Sequence, residues 1–129
     1  MGATGAGAVN PAIWLAVMVI GGFGATARFL LDRAVSRRVT RPFPYGTLAV
    51  NISGALALGF VSGLVLSHEA ALLAGTALIG AYTTFSTWML ETHRLAEDRQ
   101  IRPALGNIVV SVALGIPATV FGQWIAGFL

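Results

Sequence analysis

The 129-residue sequence has no cysteine, which excludes disulfides and thiolate metal sites without fixing a redox compartment. Charge is almost as scarce: 10% of residues carry it, five acidic and eight basic, and all eight basic residues are arginine. His68 and His93 stand in separate connections. The i,i+4 spacing of His93 and Glu97 fits a solvated helix-end pair better than a metal site. The chain lacks an HExxH motif, a paired set of carboxylates inside an apolar run, and a histidine placed to activate Ser53 or Ser86. An enzyme is therefore the least fitting reading.

Apolar residues and glycine are abundant instead, at 56% hydrophobic with 16 glycines. That balance lies outside ordinary soluble domains. Four near-continuous apolar runs, at about 13–31, 46–67, 70–90 and 105–128, each approach the roughly 20 residues that cross a bilayer as helix. Stretches such as "ALALGFVSGLVL" do not alternate with period two, so β-barrel strands are excluded. The fold class is an all-α integral membrane protein, a single transmembrane domain over 1–129 with four helices running up and down. The start "MGATGAGAVNP" has no Lys or Arg and so no signal-peptide n-region, and the first run reads as a retained helix.

Seven arginines mark topology. Arg33, Arg37, Arg38 and Arg41 follow the first run, and Arg94, Arg99 and Arg102 follow the third. Both termini and the second connection have none. Under the positive-inside rule this places both termini outside a bacterial inner membrane. Arginines at helix ends are not a nucleic-acid footprint. The eighth, Arg28, lies within the first run, where it either snorkels and pairs with Asp32 or faces a cavity and attracts anions.

Polar and small residues recur inside the runs. Thr47 and Asn51, four apart, share one helix face and either bond a neighbouring helix or line a wet path. Small-residue pairs at Gly21/Ala25, Gly59/Gly63 and Ser111/Gly115 predict close helix approaches. The fourth run spaces Asn107, Ser111, Gly115, Thr119 and Gln123 at four-residue steps, and Pro117 predicts a bend. In "GAYTTFSTWMLE" (80–91), a glycine followed by tyrosine and two threonines predicts a break near 80–84. Carbonyls freed there point to an ion site. The alternative is an intact helix whose hydroxyls bond back to their own carbonyls. Phe85 and Trp88, with Ser86 and Thr87 between them, share a face either as core packing or as ring edges that stabilise an anion.

Three stretches, in order and each on its own helix, carry a resemblance: "GGFGATARFLL", "GTLAVNISG" and "GAYTTFSTWMLE". Together they resemble the Fluc (CrcB) family of small fluoride channels over essentially the whole chain. The resemblance implies an antiparallel dimer with two narrow fluoride pores and a structural sodium ion at the interface, and no organic cofactor. It further implies sodium ligation by the backbone carbonyls of Gly80 and Thr83 at a third helix broken near its middle. Asn51, Phe85, Trp88, Ser86, Thr87, Thr47 and Ser111 match the fluoride path, Arg28 the vestibule, and Glu91 the end of the third-helix motif. Trp88 departs from the family's usual phenylalanine.

The implied function is passive export of fluoride from the cytoplasm, which lowers its toxicity. The arginine bias predicts one orientation, so the partner is either a second copy or an oppositely oriented homologue. A small multidrug-type transporter would want a carboxylate inside the first run, which has none. A non-conducting structural subunit of the membrane is the remaining reading.

Overall fold

A computed structural model describes residues 10–129. The uncharged start on which the signal-peptide reading rests lies outside the described residues, apart from Asn10 and Pro11. Helix α1 (Pro11–Arg38) opens with the Asn10 side chain accepting the Ala12 N–H at 3.0 Å and a proline in its first turn. It ends on Arg37 and Arg38, whose charge suits the negative helix terminus. Helix α2 is Tyr45–Ser62. Residues 68–82 form α3, an α-turn (His68–Ala71), a wider π-helical run (Leu72–Ile79) and a last turn (Gly80–Tyr82). Helices α4 (Ser86–Glu97) and α5 (Ile101–Ala126, with Pro117 inside it) complete the chain. The described residues contain no strand.

The protein is thus all-helical, with four segments long and apolar enough to span a membrane: Pro11–Arg38, Tyr45–Ser62, His68–Glu97 and Ile101–Ala126. Its helices extend beyond the apolar runs. The first carries Arg33, Arg37 and Arg38 on its last turns, because arginine is a good helix former and hydropathy reports the bilayer rather than the helix end. Between α4 and α5 the chain reverses at Arg99, which adopts a left-handed conformation with φ of 59°. The Gln100 N–H donates to the Leu95 carbonyl at 2.8 Å and the Arg99 N–H to Ala96 at 3.1 Å, which closes α4 in a Schellman motif.

Helix α2 packs most extensively against α5, and α1 lies against α3 and α2. The α2–α5 crossing is a seam of backbone on backbone. A side chain at Gly59 would collide with the Thr119 carbonyl, one at Gly122 with the Leu56 carbonyl, and one at Gly63 would come within 2.7 Å of the Ala126 methyl. On α5 the close approach therefore falls at Gly122 and Ala126 rather than at Ser111 and Gly115. On α1 the tightest approach is at Gly24, against Leu78 and Tyr82, with Gly21 in ordinary contact with Ala77 and Ala81. The larger apolar side chains, among them Trp14, Met18, Phe23, Ile116 and Trp124, point outward, while Thr47 and Asn107 are buried. This distribution suits a lipid solvent, which gives apolar side chains no reason to turn inward.

Candidate ion-conducting site

Three residues interrupt the third span. Thr83 closes α3 by donating both its N–H (2.9 Å) and its Oγ1 (3.1 Å) to the Ile79 carbonyl. Its own ψ of 161° then turns the chain extended. A continuous helix would next send the Thr84 N–H to the Gly80 carbonyl. Here it goes to Asn51 Oδ1 at 2.9 Å, and Asn51 Nδ2 donates back to the Thr84 carbonyl at 2.8 Å. One side chain on α2 therefore holds both backbone groups of Thr84. The Thr87 N–H, which would go to the Thr83 carbonyl, goes instead to Thr84 Oγ1 at 3.3 Å and starts α4. Gly80 and Thr83 are left without those helical donors. Gly54 admits this arrangement, since a side chain there would occupy the place of the Thr83 methyl.

Three cavities are each lined by residues of both α2 and the third span. The first, about 380 Å³, sits at the arginine-bearing end between Arg41, Tyr45, Glu91, Arg94 and Asp98. Glu91 Oε1 accepts from Thr47 Oγ1 at 2.9 Å, while its Oε2 is buried with no partner. Thr47, 2% exposed, lines the second cavity of about 170 Å³ together with Arg28, Asp32, Thr84 and Thr87. Asn51, bonded to Thr84, lines the third, about 280 Å³, with Thr83, Trp88 and Ser111. Ser111 Oγ is buried and unpartnered. The first two cavities mix polar and apolar walls, whereas the third is mainly apolar, with Ile52, Ala55, Leu58 and Val112 beside Asn51 and Ser111. The Glu91–Thr47 and Thr84–Asn51 contacts each join residues of successive cavities.

Arg28 forms no ion pair. Among the described residues the one ion pair joins His93 Nε2 and Glu97 Oε1 at 3.1 Å, on the surface. Arg28 shares its cavity with Asp32 and with Thr47, Thr84 and Thr87.

The aromatic pair is held from α5. Phe85 and Trp88 meet edge to face, centroids 5.8 Å apart and planes at 77°. Phe85 is 70% exposed on this chain. The indole N–H donates to the Asn107 carbonyl at 3.2 Å. The Asn107 amide in turn donates to Thr92 Oγ1 at 2.8 Å and to the Trp88 carbonyl at 3.4 Å. Asn107 and Thr92 were not singled out by the sequence as site residues; only the four-residue ladder on α5 marked Asn107. Ser86 and Gly80 lie on the outer face, and the structure does not bring them together with the cavity residues.

A family model described as "CrcB-like protein, Camphor Resistance (CrcB)" matches residues 15–123, a stretch that includes every residue of the three cavities. The chain belongs to the CrcB family. Similar family members include the fluoride-specific ion channel FluC 2 of Mycobacterium tuberculosis (strain ATCC 25618 / H37Rv), 64% identical over 95% of this chain and 98% of that protein. The fluoride-specific ion channel FluC 1 of Leifsonia xyli subsp. xyli is 42% identical over 92% and 90% respectively. The FluC 1 of Nocardia farcinica is 46% identical over 81% and 74%. In this CrcB chain, then, the polar interior is built from α2, the interrupted third span and α5, with Arg28 supplied by α1.

Proposed function

We infer that the protein is a fluoride-selective channel that lets the ion leave a bacterial cytoplasm passively and so lowers fluoride toxicity. The observation that carries this reading is the polar contact line between α2 and the third span, Glu91–Thr47 and Thr84–Asn51, with cavities along it, in a chain of this family. Fluoride holds its water tightly, so a selective path must replace hydration with donors while binding loosely enough to release. Thr87 and Ser111 offer hydroxyls, while the Thr47 hydroxyl lines the cavity but already donates to Glu91 Oε1. Asn51 has two amide N–H groups and gives one to Thr84, so one remains for the ion. The ring edges of Phe85 and Trp88 add weak positive potential, and Arg28 raises the local anion concentration.

The carbonyls of Gly80 and Thr83, released from their helical donors, suit a hard cation that takes oxygen ligands, and we assign them the structural sodium. That sodium would fix the interruption at the interface of an antiparallel dimer. The exposure of Phe85 on a single chain fits completion of the path by a second subunit. Because seven arginines lie at one end, that subunit is either a copy inserted in the opposite sense or an oppositely oriented homologue, with both termini of this chain outside.

Fluoride release from liposomes, followed with an electrode beside chloride, tests the reading. Rapid fluoride loss without chloride loss is expected from the chain alone or paired with such a homologue. If neither preparation releases fluoride, the channel assignment fails. A reporter fused to the carboxyl terminus tests orientation, and a substantial cytoplasmic signal would refute the termini-out arrangement.

A further inference from the structure

Asn107 is 0% exposed on α5; its Oδ1 is buried without a partner, and its amide nitrogen, costly to bury unbonded, makes all of the side chain's hydrogen bonds. Its bonds converge on one target. The amide reaches the Trp88 carbonyl directly, and also Thr92 Oγ1, which itself donates to the Trp88 carbonyl at 2.9 Å. The Asn107 backbone carbonyl takes the indole N–H. Trp88 is thereby gripped at its main chain and its ring, and the side of the ring that carries the N–H is turned to α5.

We propose that Asn107 is a positioning residue that keeps the Trp88 indole N–H out of the ion path, so that a C–H edge faces the chamber shared with Asn51 and Ser111. The proposal rests on the channel reading above. Its chemistry is that of release. A free indole N–H beside a partly dehydrated fluoride would be a strong donor, and a path that binds too well conducts slowly. A C–H edge attracts the same ion weakly, as a phenyl ring would. Asn107 therefore lets a tryptophan act as a phenylalanine.

The test is a double-mutant cycle on fluoride efflux with Asn107→Leu and Trp88→Phe. Asn107→Leu keeps the main-chain carbonyl that takes the indole N–H but removes the amide bonds to the Trp88 carbonyl and Thr92 that hold the ring against it. With Trp88 present it is expected to slow efflux up to about tenfold. With Trp88→Phe in place, the same change should alter efflux less than about twofold. Equal losses in both backgrounds, or no loss in either, overturn the proposal. A second readout does not depend on transport. In protein carrying Trp14→Phe and Trp124→Phe, Trp88 is the sole tryptophan, and both Asn107→Leu and the milder Thr92→Val should shift its emission and raise its mobility. Unchanged emission in both variants also overturns the proposal. If the parent protein moves no fluoride, the channel reading fails, and the emission experiment still decides whether Asn107 sets the ring.

Discussion

Helix α2 meets α5 and the third span by opposite means. Toward α5 it is mostly bare, with Gly59 and Gly63 lying so close against Thr119, Gly122 and Ala126 that no side chain fits between, and one bond from Gln123 Nε2 to Ser62 Oγ at the seam's end. Toward the third span it is polar, with Asn51 gripping the Thr84 backbone and Thr47 bonded to Glu91. Lipid removes the hydrophobic drive between helices, so association falls to close contact and to hydrogen bonds. Here close contact dominates one face and hydrogen bonds the other, and the polar face is the one the proposed path follows. Added volume should be fatal at the first, and lost polarity should matter most at the second.

The largest expected effect is at the seam. Gly122→Val places a branched side chain against the Leu56 carbonyl and the Phe60 N–H, both backbone groups that cannot move aside without parting α2 from α5. A loss above about 3 kcal/mol is expected, beyond ordinary overpacking. Size-exclusion profiles after heating in detergent would show it as aggregation. Survival of the native peak would show that the seam is softer than its geometry implies.

Next comes Asn51→Leu. Thr84 would lose partners for both its N–H and its carbonyl, at about 1–3 kcal/mol for each group left buried and unbonded. Part of that is recoverable if the Thr84 N–H returns to the Gly80 carbonyl and the helix closes. The protein should therefore still fold while fluoride efflux is lost. Thr47→Val is gentler, because the shape is kept and only the bond to Glu91 Oε1 is removed. It should cost about 1 kcal/mol in thermal stability. Fluoride efflux should slow with it, and an unchanged rate would separate the Glu91–Thr47 contact from conduction.

How much of this was legible beforehand depends on whether a feature is local. Four spans followed from uninterrupted apolar runs, and Thr47, Asn51, Trp88 and Arg28 stood out because polar or bulky groups need a reason inside lipid. Partners did not follow. Nothing in "GTLAVN" says that Asn51 will hold the Thr84 backbone, since that bond spans 33 residues and depends on how α2 crosses the third span. The indole of Trp88 was expected to face the ion because its donor was visible, whereas its acceptor, a main-chain carbonyl on α5, carries no sequence signal at all. Small-residue spacing was ambiguous for a similar reason. Ser111/Gly115 and Gly122/Ala126 have the same four-residue period, and only the crossing point of two helices selects between them.

That ambiguity supplies the smallest and most discriminating test. Gly115 and Gly122 are the same residue on the same helix, two turns apart. A methyl at Gly122 would strike the Leu56 carbonyl, whereas one at Gly115 would meet nothing nearer than the Ile52 Cδ1 at 3.8 Å, an ordinary contact. Gly115→Ala should therefore keep the bundle intact and gain up to about 1 kcal/mol from helix propensity, where Gly122→Ala loses stability. Gly115 also lines the chamber of Asn51, Trp88 and Ser111. If that chamber lies on the fluoride path, the added methyl should slow efflux in a protein that melts no lower than the parent. Equal destabilisation by both alanines would instead place Gly115 in the seam and make the bare face of α2 longer than the geometry draws it.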